Sequence, residues 1–210
     1  MTLAKKWCYH QISNIPNLTD IQQELYEYML SVKPSTDTWT GTVVFLQKAK
    51  IYKQTPLFNE YLKSLGVFDR WYYSLLIYTN QGKTLPIHVD RPPWQNEHGR
   101  YGLNIPVYNC ENTYTVWYED CDIDYDDEET GNAIVDMSRH VSDAYYKEGY
   151  RTARFIKKDS SYREIDRLDS SKPAWVDYTI PHQPITNHNM PRALFTTRFV
   201  PDVSDIINKL

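Results

Sequence analysis

The chain has 210 residues, a length that suits one domain whose core is large enough to fold without disulfides or structural metals. Its 23 basic and 27 acidic residues give a net charge of -4, which argues against a broad basic surface for nucleic acid. Three widely spaced cysteines indicate a reducing compartment, and no segment has the roughly 18 consecutive apolar residues of a membrane span. The first residues lack the apolar stretch of a signal peptide, so we expect a cytoplasmic protein.

The first predicted helix is LTDIQQELYEYML, residues 18–30. Its apolar side chains recur at helical spacing and share one face: Ile21, Leu25, Tyr28 and Met29. Thr19 followed by Gln22 matches a capping box at the start of the helix.

The second predicted helix is TPLFNEYLKSLG, residues 55–66. Thr55 is expected to cap its N-terminus, with Pro56 in the first helical position. Gly66 is a typical stop signal at the other end.

From about residue 70 the pattern changes to short β-branched and aromatic segments separated by turn residues, which is typical of a sandwich or barrel. The predicted strands are 71–79, 102–109, 114–119, 131–137, 152–158, 174–180 and 192–200. We therefore predict a mainly β fold with flanking helices, in which helices pack beside a barrel or jelly-roll core. Residues 1–210 form a single domain in this interpretation, with a helical N-terminal part over about 1–68 and the β core over about 70–200.

The segment EDCDIDYDDEE, residues 119–129, is strongly acidic. A solvated loop at the end of a strand is the favoured interpretation. A calcium-binding loop is the alternative, but the glycine and the final glutamate of an EF-hand are out of place.

The segment LPIHVDRPP contains two potential metal ligands, His88 and Asp90. In an extended chain residues i and i+2 point to the same side, so this imidazole and this carboxylate can face one cation. Two ligands do not make a catalytic metal site, and a third must come from elsewhere in the chain. His182 is the best candidate, because it follows a predicted strand and a proline and precedes another extended segment.

Arg192 begins the last predicted strand, ten residues after His182. Strand alternation places Arg192, Leu194, Thr196 and Arg198 on one face. An arginine that points into a barrel is a costly buried charge unless an anion binds it, and a guanidinium group suits a carboxylate. Two histidines and one carboxylate form the facial triad of non-haem Fe(II) enzymes, which leaves open positions for a 2-oxo acid and dioxygen.

The ordered set His88-x-Asp90, His182 and Arg192 resembles the 2-oxoglutarate/Fe(II)-dependent oxygenases. The resemblance implies a double-stranded β-helix (jelly-roll, cupin-like) core over roughly residues 70–200. It also implies that His88, Asp90 and His182 bind Fe(II) and that Arg192 binds the C5 carboxylate of the cosubstrate 2-oxoglutarate. Weaker transfers add three cosubstrate contacts, namely Asn104, Tyr78 and Thr196.

Within this superfamily, the segment HQPITNHNMPRALF resembles aspartyl/asparaginyl β-hydroxylase-like and phage-type hydroxylases. Those hydroxylases often lack the carboxylate ligand that Asp90 would supply. The resemblance implies an oxygenase, most simply a hydroxylase, that converts 2-oxoglutarate to succinate and carbon dioxide. Its prime substrate is expected to be a small molecule or a peptide.

Several alternatives stay open from the sequence. His188 competes with His182 as the distal ligand, and Arg198 competes with Arg192 for the carboxylate. The chain can also be a cupin-type metalloenzyme that does not use 2-oxoglutarate. A third possibility is a non-catalytic jelly-roll protein that binds a ligand or a partner.

Overall fold

The computed structural model of the chain describes residues 8–32, 42–79, 87–90, 100–123, 154–157, 159–187 and 190–209. Within these residues the backbone forms mainly β-strands, with helices packed on one side. None of the described helices is long and apolar enough to cross a membrane. The predicted strand at 131–137 lies outside the described residues, as does His188, the alternative distal ligand.

The strands form two antiparallel sheets. In chain order they are β1 (Tyr9–Gln11), β2 (Thr42–Gln47), β3 (Trp71–Thr79), β4 (His88–Val89), β5 (Tyr101–Tyr108), β6 (Thr113–Glu119), β7 (Arg154–Phe155), β8 (Arg163–Asp169), β9 (Ala174–Asp177), β10 (His182–Thr186) and β11 (Arg192–Phe199). The larger sheet has the order β1-β9-β5-β11-β3-β2, and the smaller has the order β7-β4-β10-β6-β8. Two packed antiparallel sheets with few helices confirm the predicted mainly β, jelly-roll fold.

Four helices accompany the sheets in the described part of the chain: α1 (Leu18–Val32), α2 (Lys48–Ile51), α3 (Pro56–Ser64) and α4 (Ser204–Ile207). A short 3-10 turn spans Phe68–Arg70. Both helices predicted from the sequence are confirmed as α1 and α3. The four side chains expected on the buried face of α1 are all buried, and Gly66 follows α3 with a positive φ of 69°.

The predicted capping box of α1 is wrong, whereas Thr55 is the N-cap residue of α3 as predicted but without the expected side-chain bond. Thr19 lies inside α1, and the Gln22 side chain donates a hydrogen bond to the carbonyl oxygen of Pro106 instead of returning to the helix start. Thr55 precedes α3 but makes no side-chain capping bond, because its hydroxyl donates to the carbonyl of Ile51. A carboxylate from the neighbouring helix takes its place. Glu24 of α1 accepts hydrogen bonds from two backbone amides of the first turn of α3, each at 2.9 Å.

The main hydrophobic core lies between the helices and one face of the larger sheet. Phe58 of α3 packs edge-on against Trp71 and Phe195, with ring centroids 5.5 and 5.2 Å apart. Ala193, Phe195 and Phe199 of β11 all belong to this core. Since successive side chains of a strand alternate, the intervening residues of β11 point to the other face, toward the smaller sheet.

A second apolar cluster fills part of the space between the two sheets. Trp117 of β6 is fully buried there and donates its indole N–H to the carbonyl oxygen of Asp177 in β9, at 3.3 Å. The ring of Tyr9 in β1 stacks on Trp117 with centroids 5.2 Å apart. These contacts hold the facing sheets together beside the polar interior described below.

Most of the predicted strands exist, whereas three edge strands and the two short central strands β4 and β10 were not predicted. The segments at 71–79, 102–109, 114–119, 174–180 and 192–200 each contain a strand, and residues 154–155 form β7. β8 was missed because its side chains are mostly exposed and charged, which hides any apolar alternation. β1 and β2 were missed in the part expected to be helical, although they form the two edges of the larger sheet.

The acidic run begins at the end of β6. Glu119 and Asp120 form ion pairs with Arg163, and Asp122 pairs with Lys157 at 3.2 Å. These pairs are exposed, as expected for a solvated loop, and residues 124–129 lie outside the described residues.

The Glu24 contact predicts a specific loss of stability. Replacing Glu24 with Ala removes the acceptor of two orphan amides and the negative charge at the N-terminus of α3, and should destabilise the protein by about 1 kcal/mol. The melting temperature should fall by roughly 2–4 °C for a chain of this size. Thermal unfolding followed by circular dichroism measures this change. Glu27→Ala is the matched control, since Glu27 is exposed on the same helix; equal losses in both variants would contradict the capping role.

Candidate metal centre

The two residues of the His-x-Asp pair are held by backbone pairing of a very short strand. His88 in β4 lies directly opposite His182 of β10 in the antiparallel register. Asp90 follows β4, and its amide donates a hydrogen bond to the carbonyl oxygen of Tyr178 at 3.1 Å. His182 is also opposite Trp117, so it lies between two strands of the smaller sheet. Backbone register therefore brings the distant histidine beside the local pair.

The donor atoms of His88, Asp90 and His182 all lie within 4.8 Å of one another. Oδ1 of Asp90 is 3.4 Å from Nε2 of His88 and 3.9 Å from Nε2 of His182. A bound first-row metal lies roughly 2.0–2.2 Å from each nitrogen or oxygen ligand, so donors that share one ion are at most about 4.4 Å apart. The three side chains fit one cation with only small adjustments. Among the described residues, no other group of three His, Cys, Asp or Glu side chains is so arranged.

His182 is held in the tautomer that a metal ligand needs. Its Nδ1 lies 2.9 Å from the carbonyl oxygen of Ile180, and a carbonyl only accepts, so Nδ1 carries the hydrogen. Nε2 is left with its lone pair toward Asp90. Burial, together with the neighbouring His88, lowers the pKa of His182 to about 4. The imidazole is therefore neutral at physiological pH without any proton to displace.

Asp90 is held in its ionised form. Burial raises the pKa of its carboxyl group, but a hydrogen bond from His88 and the charge of Arg198 outweigh this effect and hold the pKa below its usual range. Nη2 of Arg198 donates to Oδ2 of Asp90 at 2.6 Å, which leaves Oδ1 facing the two imidazoles. The trio thus presents the neutral imidazole of His182 and the anionic carboxylate of Asp90 beside the imidazole of His88.

The sequence left the role of Arg198 open, and the structure pairs this residue with the carboxylate of Asp90. Its guanidinium lies over the ring of Tyr178, 3.4 Å from the centroid, and Nη1 donates to Oγ1 of Thr196 at 2.5 Å. The pKa of Arg198 is lowered by burial, but Tyr178 and Asp90 more than compensate and raise it above the ordinary value. Arg198 is therefore permanently charged, and each of its two terminal nitrogens donates a hydrogen bond.

Thr196 and Asn104 lie on the interior face, as the alternation of β11 predicts. The two residues are directly opposite each other in the pairing of β11 with β5. The hydroxyl of Tyr178 donates to Oδ1 of Asn104 at 2.5 Å and lies 3.1 Å from Oγ1 of Thr196. Both predicted residues therefore contact Tyr178, the residue on whose ring Arg198 stacks. Their contact with a cosubstrate stays a prediction.

Arg192 lies at the opposite end of β11 from Arg198. Six residues of extended strand separate the two, which is about 20 Å between Cα atoms at roughly 3.3 Å per residue. Arg192 is 1% exposed, and burial lowers its pKa, opposed by the nearby Cys110. The two arginines thus occupy the two ends of the same interior strand face, and binding of a carboxylate by Arg192 stays a prediction.

Tyr78 does not face the metal centre. It lies opposite Ala193 in the sheet, on the face that packs against the helices, and its hydroxyl donates to the carbonyl oxygen of Met29 in α1 at 3.3 Å. The predicted contact of Tyr78 with a cosubstrate is therefore not favoured by the structure. The reason is strand parity, since Tyr78 and the interior residues of β3 point to opposite faces.

Two further polar residues near the sheets lie away from the candidate site. His10 is half-buried in β1 and opposite Trp175, in the larger sheet. Arg100, from the loop after the metal pair, donates to the buried carboxylate of Asp177 at 2.6 Å and so supports the fold.

The sequence analysis missed Tyr178 and Gly102. Tyr178 lies only four residues before His182, which could have indicated its place near the site, whereas nothing in the segment around Gly102 indicates a role for that glycine. Gly102 is opposite Arg198 in the sheet. A Cβ atom at this position would collide with Nη1 of Arg198 and would lie 2.6 Å from Cε2 of Tyr178. Only glycine leaves room for the stacked pair.

Comparison of the sequence with family models and with curated proteins gives no match. Solved structures of similar fold include the non-heme alpha ketoglutarate dependent carbocyclase SnoK from nogalamycin biosynthesis, at 12% identity and a TM-score of 0.47, covering 97% of this chain and 86% of that one. HygX from Streptomyces hygroscopicus, with nickel and 2-oxoglutarate bound, is 9% identical with a TM-score of 0.48, covering 92% and 82%. EctD from S. alaskensis with bound Fe is 15% identical with a TM-score of 0.43, covering 92% and 72%. These values describe a likeness of fold and assign no role to any residue.

The geometry of the trio predicts one metal site. Co(II), titrated into the protein by calorimetry, should bind with a stoichiometry of one. His88→Ala or His182→Ala should each weaken binding more than about 100-fold, because changes to groups that only support ligands already cost roughly 10–100-fold. His10→Ala is the control and should bind like the parent protein. Equal affinity in all four proteins would contradict the site.

The buried imidazole also predicts a pH dependence in the metal-free protein. Because the pKa of His182 is lowered to about 4, the unfolded chain takes up a proton between about pH 6.5 and 4 that the folded chain does not. The free energy of unfolding should therefore fall as the pH decreases through this window, by on the order of 3 kcal/mol from this group. Urea denaturation across the window should show a shallower slope for His182→Gln, whereas parallel slopes would disprove the assignment.

Proposed function

We propose that the protein is a 2-oxoglutarate- and Fe(II)-dependent oxygenase, in its simplest form a hydroxylase. The observation that carries the proposal is the convergence of His88, Asp90 and His182 on one point between the two sheets. Two imidazoles and one carboxylate are the ligand set of non-haem Fe(II) oxygenases, and they leave three of six coordination positions open. Iron bound there supplies oxidation by dioxygen, with conversion of 2-oxoglutarate to succinate and carbon dioxide.

The interior face of β11 supports a dicarboxylate as cosubstrate. Arg192 and Arg198 are both buried on this face, and guanidinium groups in such a position favour the binding of an anion. Asp90 pairs with Arg198 at the metal end. Arg192 at the other end is suited to the distal carboxylate of 2-oxoglutarate, because a guanidinium binds a carboxylate through two parallel hydrogen bonds.

The chain's own groups then have distinct tasks. His182 is oriented by Ile180 and kept neutral by burial, so it binds a cation without releasing a proton. Asp90 is kept ionised and oriented by Arg198. The apolar cluster around Trp117 excludes water from one side of the site, which strengthens each of these electrostatic contacts. The prime substrate is proposed to be a small molecule or a peptide.

The test of this function is binding of 2-oxo acids to the Co(II)-loaded protein. Wild-type protein should bind 2-oxoglutarate, and Arg192→Ala should raise the dissociation constant at least about 30-fold, as expected for a buried charge-assisted pair worth 2 kcal/mol or more. A 2-oxo acid without the distal carboxylate, such as 2-oxobutyrate, should bind both proteins equally. Arg163→Ala, which removes an exposed arginine of β8, is the control.

The outcomes separate the alternative functions. A cupin-type metalloenzyme without this cosubstrate would bind Co(II) but would bind 2-oxoglutarate with the same affinity before and after Arg192→Ala. A non-catalytic jelly-roll protein would produce no succinate from 2-oxoglutarate when loaded anaerobically with Fe(II) and exposed to air. Either result would overturn the proposal.

A further inference from the structure

We propose that Arg198 is a positioning residue that restricts Asp90 to a single metal-binding oxygen. This inference rests on the proposed metal centre and concerns how many coordination positions the protein leaves open. A carboxylate can bind a cation through one oxygen or through both. In this protein the two oxygens of Asp90 have different partners, because Oδ2 accepts from Arg198 while Oδ1 faces both imidazoles.

The position of Asp90 is fixed from two directions. Its backbone amide is bound by the carbonyl oxygen of Tyr178 at 3.1 Å, which sets the place of the Cα atom. Its Oδ2 is bound by Nη2 of Arg198 at 2.6 Å, which sets the rotation of the carboxylate. Turning the carboxylate so that both oxygens face the imidazoles would break a charge-assisted bond and leave the buried guanidinium of Arg198 without its anionic partner, which is costly.

Arg198 is itself unable to turn away. Its guanidinium is 3% exposed, stacks on the ring of Tyr178 and donates a second hydrogen bond to Thr196. The Tyr178 hydroxyl is in turn bound by Asn104. Each group in this chain of contacts holds the next, so the orientation of Asp90 is determined by the larger sheet rather than by its own short strand.

Gly102 shows that the backbone is adapted to this arrangement. The guanidinium and the tyrosine ring occupy the volume where any other residue would carry its Cβ atom, which would also lie 2.9 Å from the carbonyl oxygen of Thr197. A methyl group at this position has to displace the stacked pair, because the backbone oxygen cannot move away. Gly102→Ala therefore shifts Arg198 while preserving its charge.

The way in which Asp90 binds the cation determines how many coordination positions of the cation stay open. With Asp90 bound through one oxygen, a six-coordinate cation keeps three open positions, which suffice for a chelating 2-oxo acid and dioxygen. With Asp90 bound through both oxygens only two remain, and the chelating acid would fill them. Arg198 in this view keeps the third position open, whereas Arg192 serves the cosubstrate.

The experiment counts water molecules on bound Mn(II), with water-proton relaxation of the Mn(II)-loaded full chain as the readout. Wild-type protein should carry three exchangeable waters, and both Arg198→Met and Gly102→Ala should carry two. Mn(II) affinity should not fall in Arg198→Met, because the variant also removes a repulsive charge beside the cation. Arg167→Met, on the exposed side of β8, is the matched control and should keep three waters.

Two variants keep the test decisive if one of them fails to fold, as judged by circular dichroism and thermal unfolding. A water count equal to the wild-type value in a folded variant overturns the role of Arg198. A rise to four would mean that Arg198 brings Asp90 to the cation rather than restricting it, and this also overturns the proposal. Absence of Mn(II) binding to wild-type protein would refute the proposed function itself, so the two failures are distinguishable.

Discussion

The ion pair between Arg198 and Asp90 is the contact on which the rest of the site depends, because it joins the two sheets at the metal centre. Asp90 follows a strand of the smaller sheet, and Arg198 belongs to β11 of the larger one. Arg198 is buried and Asp90 is mostly so, and their pairing must therefore be close and well supported to offset the cost of desolvation. The support is visible in the stack on Tyr178, the hydrogen bond to Thr196 and the absence of a side chain at Gly102.

Strand parity distributes the chemistry of β11 between two environments. Phe195 packs against α3 on one face, while its neighbour Thr196 lies in the polar interior on the other. The same rule separates Tyr78, which reaches α1, from the residues beside the metal centre. A single residue of register shift would exchange these faces, which explains why the apolar packing of the helices and the polar site are mutually dependent.

Electrostatics between the sheets are consistent with the proposed chemistry. The interior holds two guanidinium groups, one carboxylate and two histidines, of which His182 is neutral by burial. A divalent cation adds further positive charge, and a dianionic cosubstrate would balance it. The neutral imidazole of His182 and the ionised carboxylate of Asp90 are also the protonation states that metal binding requires of these two groups.

The sequence by itself determined the features that are local in the chain. Helical spacing was enough to predict α1 and its buried face, and alternation was enough to place Arg192, Thr196 and Arg198 on one side of β11. The His88 and Asp90 pair was recognisable because two ligands at i and i+2 share a side of an extended segment.

The tertiary structure alone decided which distant groups meet. The Glu24 carboxylate rather than the Thr55 hydroxyl accepts the first amides of α3, Asp90 rather than an external anion binds Arg198, and Gly102 provides space for a side chain far away in sequence. The physical reason is that periodicity is a property of one segment, whereas these partners depend on the register and packing of segments that only folding brings together.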